Sequence, residues 1–292
     1  MEGCYTAGAD PELMLVDANN KLVSAIDINL PGTKEKPKKV TKGAVQRDNV
    51  MAEFNVNPAN TSEEFEDNIR SVLKSLHKLV NPNRLVIRAS ADFPKKALDN
   101  DEARIFGCDP DFNAWTLDMN AVDGLAAESP FRSAGGHFHV GKKRRSADLL
   151  DDPYGKIEVV KMMDIFMGVP SVLIDPDPTS PARRKLYGGA GAHRPKDYGV
   201  EYRALGNFWV GSPKTVRLMY DLADLAVEMV LENQSEAISK LAGQDRVIET
   251  INKSNTRKAC NIIKAVSKYI PDHLKDQLNE IPSTDLYENW GL

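Results

Sequence analysis

The sequence predicts an α+β fold, in which short strands form a sheet beside a cleft and helices form a C-terminal layer packed on that sheet. Short apolar stretches separated by turn residues fill the first two thirds of the chain, and the apolar spacing becomes helical after about residue 213. No internal repeat is visible. We therefore expect a single domain over residues 1–292, with a sheet-containing core over 1–212 and a helical C-terminal layer over 213–292.

Two hairpins are predicted near the start of the chain. Residues 12–16 are apolar, and the polar run after them turns the chain back into residues 21–23. Residues 45–46 and 50–56 flank a second turn and form a second hairpin. Three further strands are expected, at residues 85–90, 135–141 and 200–205.

The first helix is predicted from a capping box and a periodic apolar face. Thr61 and Glu64 have the spacing of a capping box. The apolar residues that follow at helical spacing are Phe65, Ile69, Val72, Leu73, Leu76 and Leu79. Further helices are expected at residues 154–169, 213–241 and 247–269.

Composition and charge narrow the class of protein. The 292 residues are 41% hydrophobic, which is enough for a sizeable core, and a net charge of -4 gives no overall reason to expect nucleic acid. Three widely spaced cysteines indicate neither a disulfide framework nor a zinc ribbon. The chain shows no apolar run of membrane-spanning length and no signal-peptide pattern, so we expect no membrane association and a cytoplasmic location.

Asp10 and Glu12 form the first pair of candidate metal ligands. Carboxylates are the ligands that Mg²⁺ and Mn²⁺ prefer. Gly8 before the pair and the apolar strand after it favour a position inside the protein. The alternative is a solvated strand edge, which Pro11 between the two acids favours.

Glu53 and two histidines are further candidates. Glu53 lies on the polar face of its strand, which belongs either to a site or to an ordinary solvent-facing surface. His137 and His139 have the two-residue spacing that puts both on one strand face, where one can ligate a metal and the other can donate to phosphate. Gly135 and Gly136 before them would let the backbone approach a ligand closely.

Glu201 and Arg203 complete the set of pairs. A carboxylate and a guanidinium at this spacing can hold a divalent cation and stabilise charge on a transferring phosphoryl group. A surface ion pair is the alternative. Arg183, Arg184 and Arg194 lie in a glycine-containing cationic loop, and their forked donors suit phosphate or carboxylate.

In chain order, Asp-x-Glu, Glu-x-Asn, Gly-Gly-His-x-His and Glu-x-Arg resemble the carboxylate-amine ligase superfamily that includes glutamine synthetase and glutamate-cysteine ligase. The resemblance is closest to the phage branch called COOH·NH2 ligase type 2, which also has a Gly-Cys-Asp-Pro-Asp stretch and an Arg-Arg-x-x-Tyr-Gly segment. It extends from about Gly8 to Asn207, and the helical tail contributes little to it. For a phage-encoded chain, the expected location is the host cytoplasm.

The resemblance implies a curved antiparallel β-sheet of about six strands around the active-site cleft, with helices packed on its outer face. It also implies a single catalytic domain that uses ATP to form an amide bond through an acyl phosphate, with release of ADP and phosphate. The implied cofactors are ATP and two or three Mg²⁺ or Mn²⁺ ions. The residues that match the family's metal ligands are Asp10, Glu12, Glu53, His137 and Glu201. The residues implied in catalysis are Glu53, Glu201 and Arg203, the last as the transition-state arginine. The implied contacts to phosphate or the substrate carboxylate come from Gly135, Gly136, His139, Arg183, Arg184 and Arg194.

The chain departs from the family pattern at one position. Relatives usually carry another carboxylate about seven residues before the one that matches Glu53, and Gln46 occupies that place here. Either Asp48, in the adjoining turn, substitutes for it or one metal ion is held more weakly. An imidazole ligand also makes Mn²⁺ a rival to Mg²⁺.

Two other functions stay open at this stage. The histidines and carboxylates would also serve a metal-dependent hydrolase, and a noncatalytic nucleotide-binding protein would keep the same pocket. The implied partners are a small-molecule or peptide carboxylate and an amine, and both a modified nucleobase as acceptor and a homo-oligomer are compatible with the sequence. Asp109 and Asp111 are candidates for the general base.

Overall fold

The computed structural model describes residues 3–104, 111–120, 129–280 and 282–292. The strands are β1 (Thr6–Ala9), β2 (Glu12–Val16), β3 (Leu22–Val23), β4 (Lys38–Val40), β5 (Gly43–Asp48), β6 (Met51–Val56), β7 (Arg84–Val86), β8 (Ser90–Asp92), β9 (Phe112–Asn113), β10 (Phe131–Ser133), β11 (Phe138–Gly141), β12 (Ala192–Lys196) and β13 (Gly199–Tyr202). The α-helices are α1 (Ser62–Val80), α2 (Asp101–Arg104), α3 (Ala147–Asp151), α4 (Pro153–Met163), α5 (Val169–Ile174), α6 (Ser180–Leu186), α7 (Pro213–Leu231), α8 (Ser235–Ala242), α9 (Gln244–Asn252), α10 (Thr256–Val266), α11 (Asp272–Leu278) and α12 (Leu286–Trp290).

The predicted α+β fold with a curved antiparallel sheet is confirmed. One of the two larger sheets has the strand order β1-β11-β13-β12-β9, and the other has the order β3-β2-β6-β5-β4, with β7 also pairing with β2. A separate two-stranded sheet pairs β8 with β10. Neighbouring strands in both larger sheets are antiparallel. The strands curl into a half-barrel.

The two larger sheets meet where β1 passes into β2. The Glu12 N–H donates to Gly135 O at 2.9 Å, and the Gly135 N–H donates to Glu12 Oε2 at 2.8 Å. Ala7 in β1 also forms a bridge with Ala59, which follows β6. Asp10 lies between β1 and β2 and is therefore at the junction of the two sheets.

Several predicted strand ends are wrong. The strand predicted at 85–90 divides into β7 and β8, and those predicted at 135–141 and 200–205 are shortened to β11 and β13. As a result, His137 precedes its strand and Arg203 follows its strand. A strand ends where its neighbours no longer offer backbone hydrogen-bond partners. β1 pairs with only four residues of this segment, and these four residues form β11.

The cap of α1 is confirmed with one change. Thr61 Oγ1 accepts a hydrogen bond from the Glu64 N–H at 3.1 Å. The Glu64 carboxylate accepts from the Asn60 N–H at 2.7 Å, rather than from the N–H of the cap residue itself. The predicted apolar face is buried except for Leu79, which is exposed.

The remaining helices are more divided than the spacing predicts. The helix predicted at 213–241 consists of α7 and α8, because Asn233 between them has a positive φ of 58°. The helix predicted at 154–169 contains a π-helical segment, Asp164–Gly168, between α4 and α5, and the helices predicted at 247–269 are α9 and α10. Within the described ranges, no helix has both the length and the apolar composition needed to cross a membrane.

A buried carboxylate connects the five-stranded sheet to the helical layer. Asp164 accepts hydrogen bonds of 2.6 Å from Trp115 Nε1, the Gly191 N–H and the Tyr202 hydroxyl. Burial raises the pKa of Asp164 to about 6, while the three hydrogen bonds favour its charged form. Because Tyr202 belongs to β13, this contact fixes the strand from one of its two faces.

Aromatic side chains join α1, β11 and α7 in the core. The Phe65 ring in α1 lies 5.3 Å from the Phe138 ring in β11 and 6.0 Å from the Trp209 ring. Tyr220 in α7 also contacts Phe65, with ring centroids 6.1 Å apart. One cluster of buried apolar residues thus includes members from both sides of residue 213. The division into a sheet core and a helical part stays a prediction.

Replacing Gly136 by alanine is expected to destabilise the fold. A Cβ at Gly136 would lie 2.2 Å from Gly206 O and 2.6 Å from Trp209 Nε1, so the backbone would have to shift. We expect Gly136→Ala to lower the free energy of unfolding by about 1–3 kcal/mol, as overpacking does in cores. Urea denaturation measures this change.

Gly206→Ala is the matched control for that measurement. A Cβ at Gly206 would come no closer than 3.7 Å to an atom outside its chain neighbours, so it fits. Its effect on the free energy of unfolding should be less than about 1 kcal/mol. Equal losses in the two variants would contradict the packing described here.

Candidate functional site

Three neighbouring strands of the five-stranded sheet present polar side chains in one row. His139 on β11 is directly opposite Glu201 on β13, and Glu201 is directly opposite Arg194 on β12. Residues that are directly opposite in a sheet lie on the same face. The strand register therefore brings these three side chains together.

A second row crosses the other sheet. Glu12 on β2 is opposite Glu53 on β6, and Glu53 is opposite Gln46 on β5. Gln46 Nε2 donates to Glu53 Oε2 at 2.7 Å. Asp48, predicted to lie in the turn, is instead the last residue of β5, because the turn starts at Asn49 with a positive φ of 56°.

Asp10 lies between the two rows. Its Oδ1 is 3.2 Å from His137 Nδ1 and 3.0 Å from His139 Nε2. Burial would raise the pKa of Asp10, but the two imidazoles lower this pKa below its ordinary value. His137 Nδ1 is also 3.7 Å from Glu201 Oε1, so both imidazoles border the same pair of carboxylates.

The two imidazoles have different electrostatic surroundings. Burial, together with the charge of Arg203, lowers the pKa of His137 to about 4. Burial also disfavours the charged form of His139, but the Asp10 carboxylate raises the pKa of His139 above its ordinary value. At neutral pH, His137 is therefore neutral and can offer a lone pair, whereas His139 keeps a proton more readily.

The acids on the six-stranded sheet repel one another. Burial and the charge of Asp48 raise the pKa of Glu12 to about 7. Burial, and then the charges of Asp10, Asp48 and Glu12, raise the pKa of Glu53 well above its ordinary value. The pKa of Asp48 is also raised, chiefly by burial. We call Glu12, Asp48 and Glu53 the acidic side of the site. Their raised pKa values show that the charged forms are disfavoured, and a nearby cation would favour those forms.

Glu201, by contrast, is surrounded by positive groups. Arg203 Nη1 contacts its Oε1, and Lys196 Nζ lies 2.9 Å from its Oε2. Arg194 Nη1 is 3.8 Å from Glu201 Oε1. We call Arg194, Lys196 and Arg203 the cationic side. The site is thus divided, with acids on one sheet, cations on the other, and Asp10 with the two imidazoles between them.

Arg203 is held in place by its neighbours. Its Nε donates to Asp111 Oδ2 at 3.1 Å, and Asn120 Nδ2 donates to Asp111 Oδ1 at 2.7 Å. The guanidinium lies 5.0 Å from the centre of the Tyr187 ring. Since both Asp111 oxygens are engaged, these contacts favour a positioning role for Asp111 over the predicted one as general base. Asp109, the other candidate, lies outside the described residues.

Arg183 and Arg184 lie on helix α6 and Arg194 lies on strand β12, so the prediction of a cationic loop is wrong at all three positions. Proline fits the first turn of a helix, and the proline-rich segment before Arg183 starts α6. Arg183 donates to the main-chain oxygens of Ala204 at 3.1 Å and of Arg203 at 3.3 Å. Arg184 donates to Ser254 Oγ at 2.6 Å. These bonds favour a structural role over phosphate binding.

Gly135 and Gly136 are required by packing within the chain. A Cβ on Gly135 would lie 2.5 Å from His137 Nε2, and Gly136 has no room beside Gly206. The close approach that the sequence predicts for a ligand is therefore made by the chain itself. A contact of these glycines with a cofactor stays a prediction.

Three site residues were given no role from the sequence. The Tyr187 hydroxyl lies 2.9 Å from His137 Nε2, and the Tyr198 ring stacks on His139 with centroids 5.9 Å apart. Lys196 follows Arg194 on β12 by two residues, the same spacing that identified the other pairs. The sequence could therefore have predicted that Lys196 shares the face of Arg194. The two tyrosines lie outside strands and no periodicity points to them, but Tyr187 is the tyrosine of the Arg-Arg-x-x-Tyr-Gly segment.

Asp10, His139 and Glu201 are suited to hold a metal ion. They offer one ligand atom each within 4.8 Å of one another. Carboxylate and imidazole ligands together suit Mn²⁺ as well as Mg²⁺. The sequence analysis placed His137 rather than His139 among the ligands, and the structure puts both imidazoles beside the same two carboxylates.

The amide of Gln46 indicates that a cation also fits the acidic side. Gln46 Oε1 is buried and has no hydrogen-bond partner, while the amide nitrogen donates to Glu53. An unsatisfied buried oxygen costs about 1–3 kcal/mol. A cation between this oxygen and the acidic side would remove that cost and the repulsion among the acids.

The fold is an antiparallel half-barrel, and its site contains paired acids, two imidazoles and an arginine. Both features are expected for a carboxylate-amine ligase. A family model described as phage phiEco32-like COOH.NH2 ligase-type 2 matches residues 115–277. The chain belongs to this family, which confirms the predicted ligase class. No curated protein matches the chain.

The matched range corrects the predicted extent of the resemblance. It contains His137, His139, Glu201 and Arg203, as predicted. It also contains α7 to α10, so the expectation that the helical tail contributes little is wrong. Asp10 and the acidic side precede the matched range, and their assignment depends on the sequence pattern and the geometry.

Removing the charge of Asp10 is expected to lower the pKa of His139. The Asp10 carboxylate favours the charged imidazole, and Asp10→Asn removes this attraction. A histidine-selective NMR titration of the metal-free protein measures the change. Asp151→Asn, which removes an exposed carboxylate paired with Lys142, is the control and should leave the pKa of His139 unchanged. The same absence of change in Asp10→Asn would contradict the described contact.

Proposed function

We propose that the protein uses ATP to form an amide bond between a carboxylate substrate and an amine, through an acyl phosphate, with release of ADP and phosphate. The proposal rests on one observation: the acidic side and the cationic side border the same site, with Asp10 and the two imidazoles between them. Transfer of a phosphoryl group uses both, because divalent cations accompany the phosphates of ATP and positive side chains stabilise the transferred group. Membership of a ligase family supports amide bond formation.

The side chains fit Mg²⁺ or Mn²⁺ as partners of ATP. Asp10, Glu201 and one or both imidazoles would hold one ion, and the acidic side with Gln46 would hold another. When bound, such ions neutralise phosphate oxygens and orient them for transfer. The cationic side would bind the phosphate or a negatively charged substrate, such as an amino acid or a peptide end.

In the first step, a carboxylate oxygen of the substrate attacks the γ-phosphorus of ATP. The bond from this phosphorus to the bridging oxygen breaks, and ADP leaves with the electron pair. Arg203 would stabilise the charge on the transferred group, since Asp111 fixes its Nε and leaves the guanidinium in one orientation. The step is needed because oxide is too poor a leaving group for direct attack by an amine.

In the second step, the amine attacks the acyl carbon, the bond from this carbon to the phosphate oxygen breaks, and phosphate leaves with the electron pair. The amine nitrogen loses a proton to a base. His137, Glu201 and Arg203 are each at most 5% exposed. This burial would limit hydrolysis of the acyl phosphate by water.

Mass spectrometry of the reaction mixture tests the proposed function. Wild-type protein with ATP, Mg²⁺ or Mn²⁺, amino acids and small amines should yield ADP and a condensation product. We expect Glu201→Gln and Arg203→Lys to reduce ADP formation at least about 100-fold, the scale of losing one charge-stabilising group. Lys142→Met, which affects an ion pair with Asp151 outside the site, should retain activity.

The alternatives give different products in the same experiment. Loss of a pool component with metal but without ATP would indicate a metal-dependent hydrolase. Binding of ATP without formation of ADP would indicate a noncatalytic nucleotide-binding protein. Wild-type rates of ADP formation in both site variants would contradict the assignment of the site.

Gln46→Glu is expected to strengthen binding of Mn²⁺. The variant adds a negative charge at the acidic side, and the number of charged ligands sets the affinity of such sites. We therefore expect the dissociation constant for Mn²⁺ to fall about tenfold. Gln46→Met removes the oxygen and should weaken binding. Isothermal titration with Mn²⁺ measures both effects.

Gln277→Glu, which adds the same charge on α11, is the control for the Gln46 variants. It should not change the affinity for Mn²⁺, because α11 carries none of the site residues and salt screens a charge at the surface. An unchanged affinity in Gln46→Glu, with the fold intact in thermal melts, would contradict a cation at the acidic side.

A further inference from the structure

Lys196 lies beside two of the three side chains suited to hold a metal ion. It is the last residue of β12, and its Nζ is 2.9 Å from Glu201 Oε2. Its charge also acts on His139, whose pKa it tends to lower. The ammonium therefore neutralises a carboxylate that a metal ion would use.

Lys196 is the most exposed member of the cationic side. Its side chain is 34% exposed, against 14% for Arg194 and 2% for Arg203. The Arg203 guanidinium is fixed by Asp111, whereas lysine carries a point charge on a flexible four-carbon stem. Lys196 is thus the member of the cationic side best able to change its partner.

The main chain at Lys196 is held independently of its ammonium group. Lys156 Nζ donates to Lys196 O at 2.9 Å. Residue 196 is also in register with Gly199 on β13. A change of partner would therefore involve the lysine side chain, with the strand remaining in place.

A divalent cation bound to Glu201 would compete with the Lys196 ammonium, which lies 2.9 Å from this carboxylate. The ion carries twice the charge of the ammonium, so it would attract the carboxylate more strongly and repel the ammonium. A phosphate that accompanied the ion would offer the ammonium another negative partner. The flexible stem of lysine would allow this exchange without movement of the strand.

We propose that Lys196 contacts a phosphate oxygen of the bound nucleotide or acyl phosphate, and that it pairs with Glu201 while no metal ion is bound. This inference rests on the proposed function. It assigns two exclusive partners to one ammonium group. Removing the ammonium should therefore affect metal binding and nucleotide binding in opposite directions.

Lys196→Met tests whether the affinities for metal and for nucleotide change in opposite directions. Titration with Mn²⁺ alone should show binding about 3- to 10-fold tighter than in wild type, because Glu201 has lost its competitor. Binding of a nonhydrolysable ATP analogue in saturating Mg²⁺ should be at least about tenfold weaker, because a charge-assisted contact to phosphate is lost. Lys196→Arg retains the charge and should bind the analogue more tightly than Lys196→Met does.

Lys142→Met is the matched control. Lys142 is 30% exposed, close to the 34% of Lys196, and it pairs with the exposed carboxylate of Asp151. It should change neither affinity. Thermal melts of all the variants identify any loss of fold.

The outcomes separate this inference from the proposed function. If wild type binds the analogue and Lys196→Met binds it equally well, the inference is wrong and the proposed function stands. If Lys196→Met weakens binding of both Mn²⁺ and the analogue, the lysine has only a structural role at Glu201. If wild type binds Mn²⁺ but not the analogue, the proposed function fails and the inference fails with it.

Discussion

The repulsion among buried carboxylates is the constraint on which the site depends. Strand register places Glu12 opposite Glu53, and Asp48 ends the adjoining strand, so the acids cannot separate without loss of backbone hydrogen bonds. A buried charge is tolerated only when a proton or an opposite charge accompanies it. A cation at the six-stranded sheet would relieve this repulsion. We propose that the cationic side on the other sheet binds the anion that accompanies such a cation.

The geometry of the site also depends on the opposite face of the five-stranded sheet. Side chains alternate along β13, so Glu201 faces the site while Tyr202 faces the helical layer. Asp164 accepts hydrogen bonds from Tyr202, from the Gly191 N–H just before β12, and from Trp115. One buried carboxylate thus connects the segments that carry the cationic side. The hydrogen bonds of Asp164 thus hold β12 and β13 from the face opposite the site, and the polar face stays available for ligands.

Spacing along the sequence predicted which residues meet, because two-residue spacing tolerates small errors in strand ends. Arg203 still contacts its predicted partner although it follows β13. Spacing could not predict the contact between His137 and Tyr187, since one residue precedes a strand and the other follows a helix. Composition suggested an anion site at Arg183 and Arg184, but their bonds to atoms of the chain depend on tertiary packing. The α+β class was predictable, whereas strand ends depend on where partner strands end.

A crystal structure with Mn²⁺ and a nonhydrolysable ATP analogue tests the account most directly. Anomalous scattering at the manganese edge identifies each ion independently of the refined atoms. We predict manganese beside Asp10 and Glu201 and again at the acidic side, with the phosphates of the analogue on the cationic side. Nucleotide bound elsewhere, or ordered protein with no manganese at these carboxylates, would contradict the account.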